Sequence, residues 1–146
     1  MIRILGIGSP LGDDQVAWRV IEALRERLPA VVDLHALDRP GATLVNWMRD
    51  VHWLILVDAL RSDAAPGSVV KIDPQTLAED AGAISSHAMR LADSLQLAAA
   101  LDCLPPRLDI YGIEIATLDG SELSAAASDG AARLSQRLIG ILQKTG

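Results

Sequence analysis

Trp53-Leu-Ile-Leu-Val57 is a run of five apolar residues that stops at a carboxylate, Asp58, before Ala59-Leu60. A companion run, Ile2-Arg-Ile-Leu-Gly-Ile7, leads into Gly8-Ser9-Pro10-Leu11-Gly12-Asp13-Asp14. Apolar runs without alternation are the texture of strands covered on both faces, as in a parallel sheet. Working outward, residues 31–37, 68–72 and 108–113 read as three further strands, five in all. Between the first two, Val16, Val20, Leu24 and Leu28 recur at helical spacing, Ala17 and Ile21 widen the stripe, and Pro29 stops it. A short helix is expected over residues 42–48 after Gly41. A third helix bears Leu91, Leu95 and Ala98, and a fourth bears Ala127, Ala131, Leu134, Leu138 and Ile141.

Strands alternating with helices imply an open α/β sandwich with a mostly parallel sheet. About ten residues separate Val57 from Ser68, too few for a βαβ crossover, so one strand is expected to run antiparallel. The 146 residues are the size of one domain, expected to span 1–146 with no linker or repeat. Half the residues are apolar and 22% charged, which excludes an intrinsically disordered chain. With no Phe, one Tyr and three Trp, aliphatic side chains must fill the core. A net charge of -6 repels phosphate backbones, so no nucleic-acid partner is expected. The lone Cys103, the absence of a secretory signal and the lack of a membrane-length apolar run point to a soluble, cytoplasmic protein.

Ligands of open α/β sheets bind outside the carboxyl ends of the strands, so the residues just after each strand are the informative ones. They are Asp13 and Asp14 after the first, Asp58 after the third, and Ser85-Ser86-His87 before the third helix. Each alone has a structural explanation. Asp13 or Asp14 suits an N-cap or first helical turn, Asp58 a loop cap, and His87 a helix start. Asp58 is the hardest to explain so, because a carboxylate gains little at the end of an apolar strand. His35 and His52 read as structural, Cys103 as a small buried apolar residue, and Trp18, Trp47 and Trp53 as core or groove residues.

Two readings account for part of this set. Gly6-x-Gly8 after a strand, with Asp38 ending the second, suggests a dinucleotide site. Its third glycine would be Leu11, however, and two carboxylates stand where a pyrophosphate should bind. Asp13, Asp14 and Asp58 also imitate the acidic set of a response-regulator receiver, with Asp58 as phosphoacceptor. The last strand ends in Glu114 without the lysine that would hold the acyl phosphate's charge.

A fuller match exists. Gly6-Ile-Gly8-Ser9-Pro10-Leu11-Gly12-Asp13-Asp14 resembles the Gly-x-Gly-Asn-x-Leu-x-x-Asp-Asp/Glu signature of the hydrogenase maturation endopeptidases, which trim the C-terminal extension from nickel-iron hydrogenase large subunits. Leu54-Ile55-Leu56-Val57-Asp58-Ala59 resembles that family's second acidic motif and Ser85-Ser86-His87 its histidine motif. Gly112-Ile113-Glu114, Leu118-Asp119-Gly120 and Leu123-Ser124 resemble its C-terminal segment. The likeness runs from Ile2 to the last helix. Ser9 replaces the usual Asn, Gln15 stands where Gly is common, and Ala17 replaces a second Gly; these departures bear on substrate choice and leave the ligand set intact.

The resemblance implies a three-layer α/β/α sandwich around a five-stranded mixed sheet, phosphorylase/hydrolase-like. It implies that Asp14, Asp58 and His87 are the catalytic and metal-contacting residues, with Gly6, Gly8, Ser9 and Asp13 forming the supporting loop. Two carboxylates and an imidazole suit nickel, zinc or cadmium. The working nickel is expected to arrive in the substrate, the large-subunit precursor, with zinc or cadmium as substitutes in vitro. Accessory maturation factors are possible further partners. Asp14 and Asp58 are both candidates for the general base, and a metal-free route using a carboxylate alone is the alternative.

Overall fold

Every residue of Trp53–Leu60 is buried. A strand without an exposed face must have neighbours on both edges and layers on both sides, and this one (β3) lies at the centre of the sheet. The computed structural model describes residues 1–79 and 86–145, with the side chains of 78, 79, 86–90 and 145 outside the description. β1 (Ile2–Gly8) flanks β3 on one side and is itself flanked by β2 (Asp33–Asp38), both pairings parallel. On the other side β5 (Arg107–Glu114) runs parallel to β3, and β4 (Val69–Ile72) closes the edge antiparallel to β5. The strand order is β2-β1-β3-β5-β4. The expected antiparallel strand is therefore β4.

Alternation along the strands sorts two cores. Ile4, Ile55, Val57 and Ile113 face α1 (Val16–Arg25) and α4 (Ala125–Thr145). Leu5, Ile7, Leu54, Leu56 and Ile110 face a 3-10 turn, Gly41–Trp47, together with α2 (Pro74–Glu79) and α3 (Ser86–Ala100). The result is the three-layer α/β/α sandwich with a mixed five-stranded sheet.

Differences from expectation are local. β3 runs on to Leu60, so Asp58 lies within the strand, paired with Gly112, and not just after its end. α1 ends at Arg25, and Leu28 sits in a turn that donates its N–H to Leu24. β2 begins at Asp33, not 31, because Val32 bonds back to Pro29 and Val31 projects into solvent. The helix expected over 42–48 is the 3-10 turn, one residue earlier at each end. The short α2 was not expected; it fills the connection from β4, with Leu77 fully buried in the second core.

Candidate active site

Four parallel strands deliver their carboxyl ends, and the loops that follow, to one edge of the sheet. On β1, a Cβ at Gly6 would come within 2.7 Å of the Ala17 carbonyl oxygen, and one at Gly8 within 2.3 Å of the Asp14 carbonyl oxygen. Both glycines let α1 lie directly on the strand, which fixes where α1 and the acidic pair before it begin. Ser9 is buried and its Oγ accepts the Leu11 N–H at 3.4 Å, while its own N–H reaches the Asp14 carbonyl at 3.3 Å. The serine in place of the family's asparagine thus keeps a side-chain bond across the turn.

Asp13 does not cap the helix it precedes. Its buried carboxylate accepts the Ser124 N–H at 2.6 Å, the Ser124 hydroxyl at 2.7 Å, and the N–H groups of Ala116 and Thr117 at 2.8 and 3.2 Å. Burial alone would raise its pKa, but the bonds from Ser124, Ala116 and Thr117 together outweigh it and hold the carboxyl below its ordinary value. Gly12, at φ +45°, donates to the Gly120 carbonyl, and the Gln15 amide reaches that of Ser121. The loop after β1 is thereby stitched to the loop after β5.

Asp14 and Asp58 are each only 4% exposed. Asp58 continues the Leu54–Leu56 row of β3, so its carboxyl points to the side of the sheet covered by the Gly41–Trp47 turn and α3. Its Oδ1 accepts the Ala59 N–H at 2.8 Å. Burial pushes the Asp58 carboxyl well above the usual carboxylate range; the Ala59 bond opposes this and the charge of Asp14 adds to it. Asp58 lies at a cleft of about 220 Å³ whose other walls include Ile7, Leu44, Leu91, Ser94 and Arg39.

The structure thus brings Asp14 and Asp58 into electrostatic contact. His87 falls in the first turn of α3, which borders the same cleft, but its side chain and all of Ser85 lie outside the described residues. Among the described residues no group of three or more His, Cys, Asp or Glu is placed to hold a metal. His35 and His52 have structural partners: His35 bonds Asp33 and tilts onto Trp47, and His52 contacts the Met1 amino group at the opposite edge. A larger hollow of about 480 Å³ lies there, lined by His52 and Cys103 and remote from the acidic pair. Cys103 is half-buried, with its thiol donating to the Ala98 carbonyl. The tryptophans are anchors: Trp18 donates to the Leu37 carbonyl, Trp53 to Asp109, and Arg3 approaches the Trp47 ring.

Arg39 went unnoticed in the sequence. It adopts φ +44°, donates its N–H to the Gly8 carbonyl, pairs with Asp38 at 2.7 Å and feels the charge of Asp14. The rule that selected Asp58, a charged residue just after a strand end, would have found it had it been applied to β2. Glu114, buried at the end of β5 and accepting the Ser62 N–H at 2.6 Å, was not singled out as a site residue.

Comparison with known proteins agrees with this fold. The hydrogenase maturation protease HycI from Thermococcus kodakarensis shares the fold at 21% identity and a TM-score of 0.76, over 97% of this chain and 92% of that one. The hydrogenase maturating endopeptidase HybD from E. coli superimposes with a TM-score of 0.86 at 27% identity, over 99% of this chain and 93% of that one. The [NiFe] hydrogenase maturation protease HybD from T. kodakarensis does so at 0.76 and 26%, over 99% and 97%. No curated protein sequence matches the chain. The family model described as hydrogenase maturation protease matches residues 18–141, a stretch that includes Asp58 and His87 and begins just after Asp14. The chain belongs to the hydrogenase maturation protease family.

Proposed function

We propose that the chain, as a single protease domain over residues 1–146, removes the C-terminal extension of a nickel-iron hydrogenase large-subunit precursor after nickel has been inserted. The observation that carries this reading is the pair of buried carboxylates, Asp14 and Asp58, held within electrostatic reach of each other at a cleft. Two such groups cannot both ionise without cost, and an incoming cation relieves that cost. The donor chemistry fits a borderline divalent ion, with His87 as the third group. A precursor presenting nickel would therefore be favoured over an empty one by charge as well as by contacts. Bound on its substrate, nickel brings a positive charge for recognition and a Lewis acid beside the scissile bond.

The chain's own side chains do the remaining work. A carboxylate of the pair accepts a proton from the water that adds to the peptide carbonyl, and that proton leaves with the released amine. Zinc or cadmium would occupy the same donors in vitro. Accessory maturation factors are further candidate partners, and the cytoplasm, where such precursors would be met, is the proposed location. No helix among the described residues is long and apolar enough to cross a membrane. The receiver-type reading finds no lysine at the end of β5, where Glu114 bonds Ser62 instead.

Incubation with nickel-loaded and nickel-free precursor, followed by mass measurement, tests the assignment. Loss of the C-terminal peptide from the loaded form alone is expected. Cleavage of neither, with phosphate transferred to Asp58 from a small acyl phosphate, would replace it with the phosphoacceptor reading. A second expectation is that the purified enzyme holds metal weakly; a stoichiometric ion that survives dialysis would contradict the substrate-borne scheme.

A further inference from the structure

We propose that the outer face of α3, at Leu97 and Leu101 and on into the turn that carries Leu104, docks the folded body of the large-subunit precursor away from the bond being cut. The inference rests on the peptidase reading and adds to it a second point of contact, outside the Asp58 cleft. α3 buries one stripe, Leu91, Leu95 and Ala98, in the second core. Its far side is left uncovered. Of the seven large apolar side chains that stay exposed among the described residues, three fall within eight positions here: Leu97 at 41%, Leu101 at 51% and Leu104 at 42%. The Leu101 N–H reaches the Leu97 carbonyl at 3.0 Å, so the two leucines stand one helical turn apart on one face, with exposed Ala99 and Ala100 beside them. The helix end is then fixed: Cys103 donates to the Ala98 carbonyl at 2.9 Å and Asp102 to the Ala99 carbonyl at 3.1 Å, with Asp102 at φ +55°.

Position, area and charge select the occupant. Gly41 and Ser94 line both the Asp58 cleft and a second hollow of about 240 Å³, which Leu97 also lines, so the exposed face continues from the site. Leu91 of the cleft and Leu101 are separated along α3 by about 15 Å at the helical rise, within the span of one folded partner whose tail lies at Asp58. Three partly exposed leucines offer on the order of a few hundred Å², far below the roughly 800 Å² that each partner of a stable dimer buries. Such a contact is transient, as suits a partner that leaves once it has been cut. From Leu91 to Pro106 the charged residues are Asp93 and Asp102 alone. α3 carries no basic residue in its last turn, so Asp102 adds to the negative end of the helix dipole. Arg49 and His52 line the hollow that Leu104 borders at the opposite edge, and neither pairs with Asp102 among the described residues. A second copy of this chain would bring the same acidic rim and no cation to meet it. The complementary partner is an apolar surface of the precursor bearing a lysine or arginine that reaches Asp102.

The test uses the full-length enzyme and nickel-loaded precursor, with its nickel content measured, and follows steady-state release of the C-terminal peptide. Leu97→Ser combined with Leu101→Ser should raise KM about tenfold and leave kcat within about twofold, the pattern of binding lost equally from ground and transition states. Asp102→Asn keeps a residue suited to the left-handed position and removes the charge. Its KM should rise about threefold and respond less to added salt than the wild-type value does. Thermal melts report whether the variants fold, and either single serine substitution carries the test if the pair does not. An unchanged KM in the leucine variants, or a loss of kcat at constant KM, would overturn the docking face while leaving the peptidase assignment standing. So would sedimentation of the wild-type enzyme as a dimer that the serine variant splits without a change in KM, since the occupant would then be a second copy. Failure of the unmodified precursor to lose its C-terminal peptide would instead remove that assignment, and the docking face with it.

Discussion

The Asp13 carboxylate accepts hydrogen bonds from residues 103 to 111 positions further along the chain, whereas the charge of its neighbour Asp14 acts on Asp58. Adjacent and chemically identical, the two serve different ends, and substitution should separate them. Asp13→Asn leaves an amide facing N–H donors and is expected to cost about 3 kcal/mol of stability, read as a lower denaturation midpoint. Because the Asp13 carboxyl is held below its ordinary value, the stability it confers is present above that value and lost as pH falls from it through the lower folded value. Wild-type unfolding should therefore steepen below about pH 4, and the Asn variant should show less of that dependence. Asp58 has the opposite sign. Its raised pKa means the folded protein keeps a proton that the unfolded chain has released, so stability declines as pH rises from the unfolded toward the folded value. Asp58→Asn is nearly isosteric and retains an oxygen for the Ala59 N–H. It should melt no lower than wild type at neutral pH, lose that decline, and abolish processing. An unfolded variant would mark Asp58 as structural.

At the level of the elements, the strands were readable because a buried parallel strand cannot alternate; Trp53–Leu60 shows this at all eight positions. The antiparallel edge was readable from connection length. Boundaries were less so: 31–32 was read as strand, yet the chain turns after Pro29 and Val31 is exposed. Asp58 stood out as a carboxylate ending an apolar run, and its neighbourhood with Asp14 followed from the rule about strand ends. Nothing local to Asp13 reveals Ser124, since that contact exists only once β5 has been placed. Close seating of α1 on β1 can itself be tested. Gly8→Ala would put a methyl 2.3 Å from the Asp14 carbonyl oxygen and must displace backbone. The expected cost is about 1–3 kcal/mol, with processing reduced by more than the stability loss explains because Asp14 moves. Equal rates for folded Gly8→Ala and wild type would show that the acidic pair tolerates such a shift.

Across the whole molecule, the two cores on opposite faces of one sheet meet different needs. α1 and α4 pack over a mainly aliphatic layer that also holds Trp53 and Tyr111, while the side bearing the Gly41–Trp47 turn and α3 borders clefts. Membership in a protease family was legible from four short motifs because those within the described residues lie near strand ends on the same edge, where loops carry function. The cleft was not legible, since Ile7, Leu44 and Leu91 look like ordinary core residues until three separate elements are assembled around Asp58.

β5 is the last strand in the chain, yet it lies between β3 and β4, and the loop behind it supplies the donors that grip Asp13. During translation, then, β4 has no edge to join and the Gly12 bend no anchor until residues beyond 107 have left the ribosome. A fragment ending before residue 107 would hold Asp13 without the donors that grip it, so the loop after β1 takes its braced form only once β5 and the residues behind it have been made.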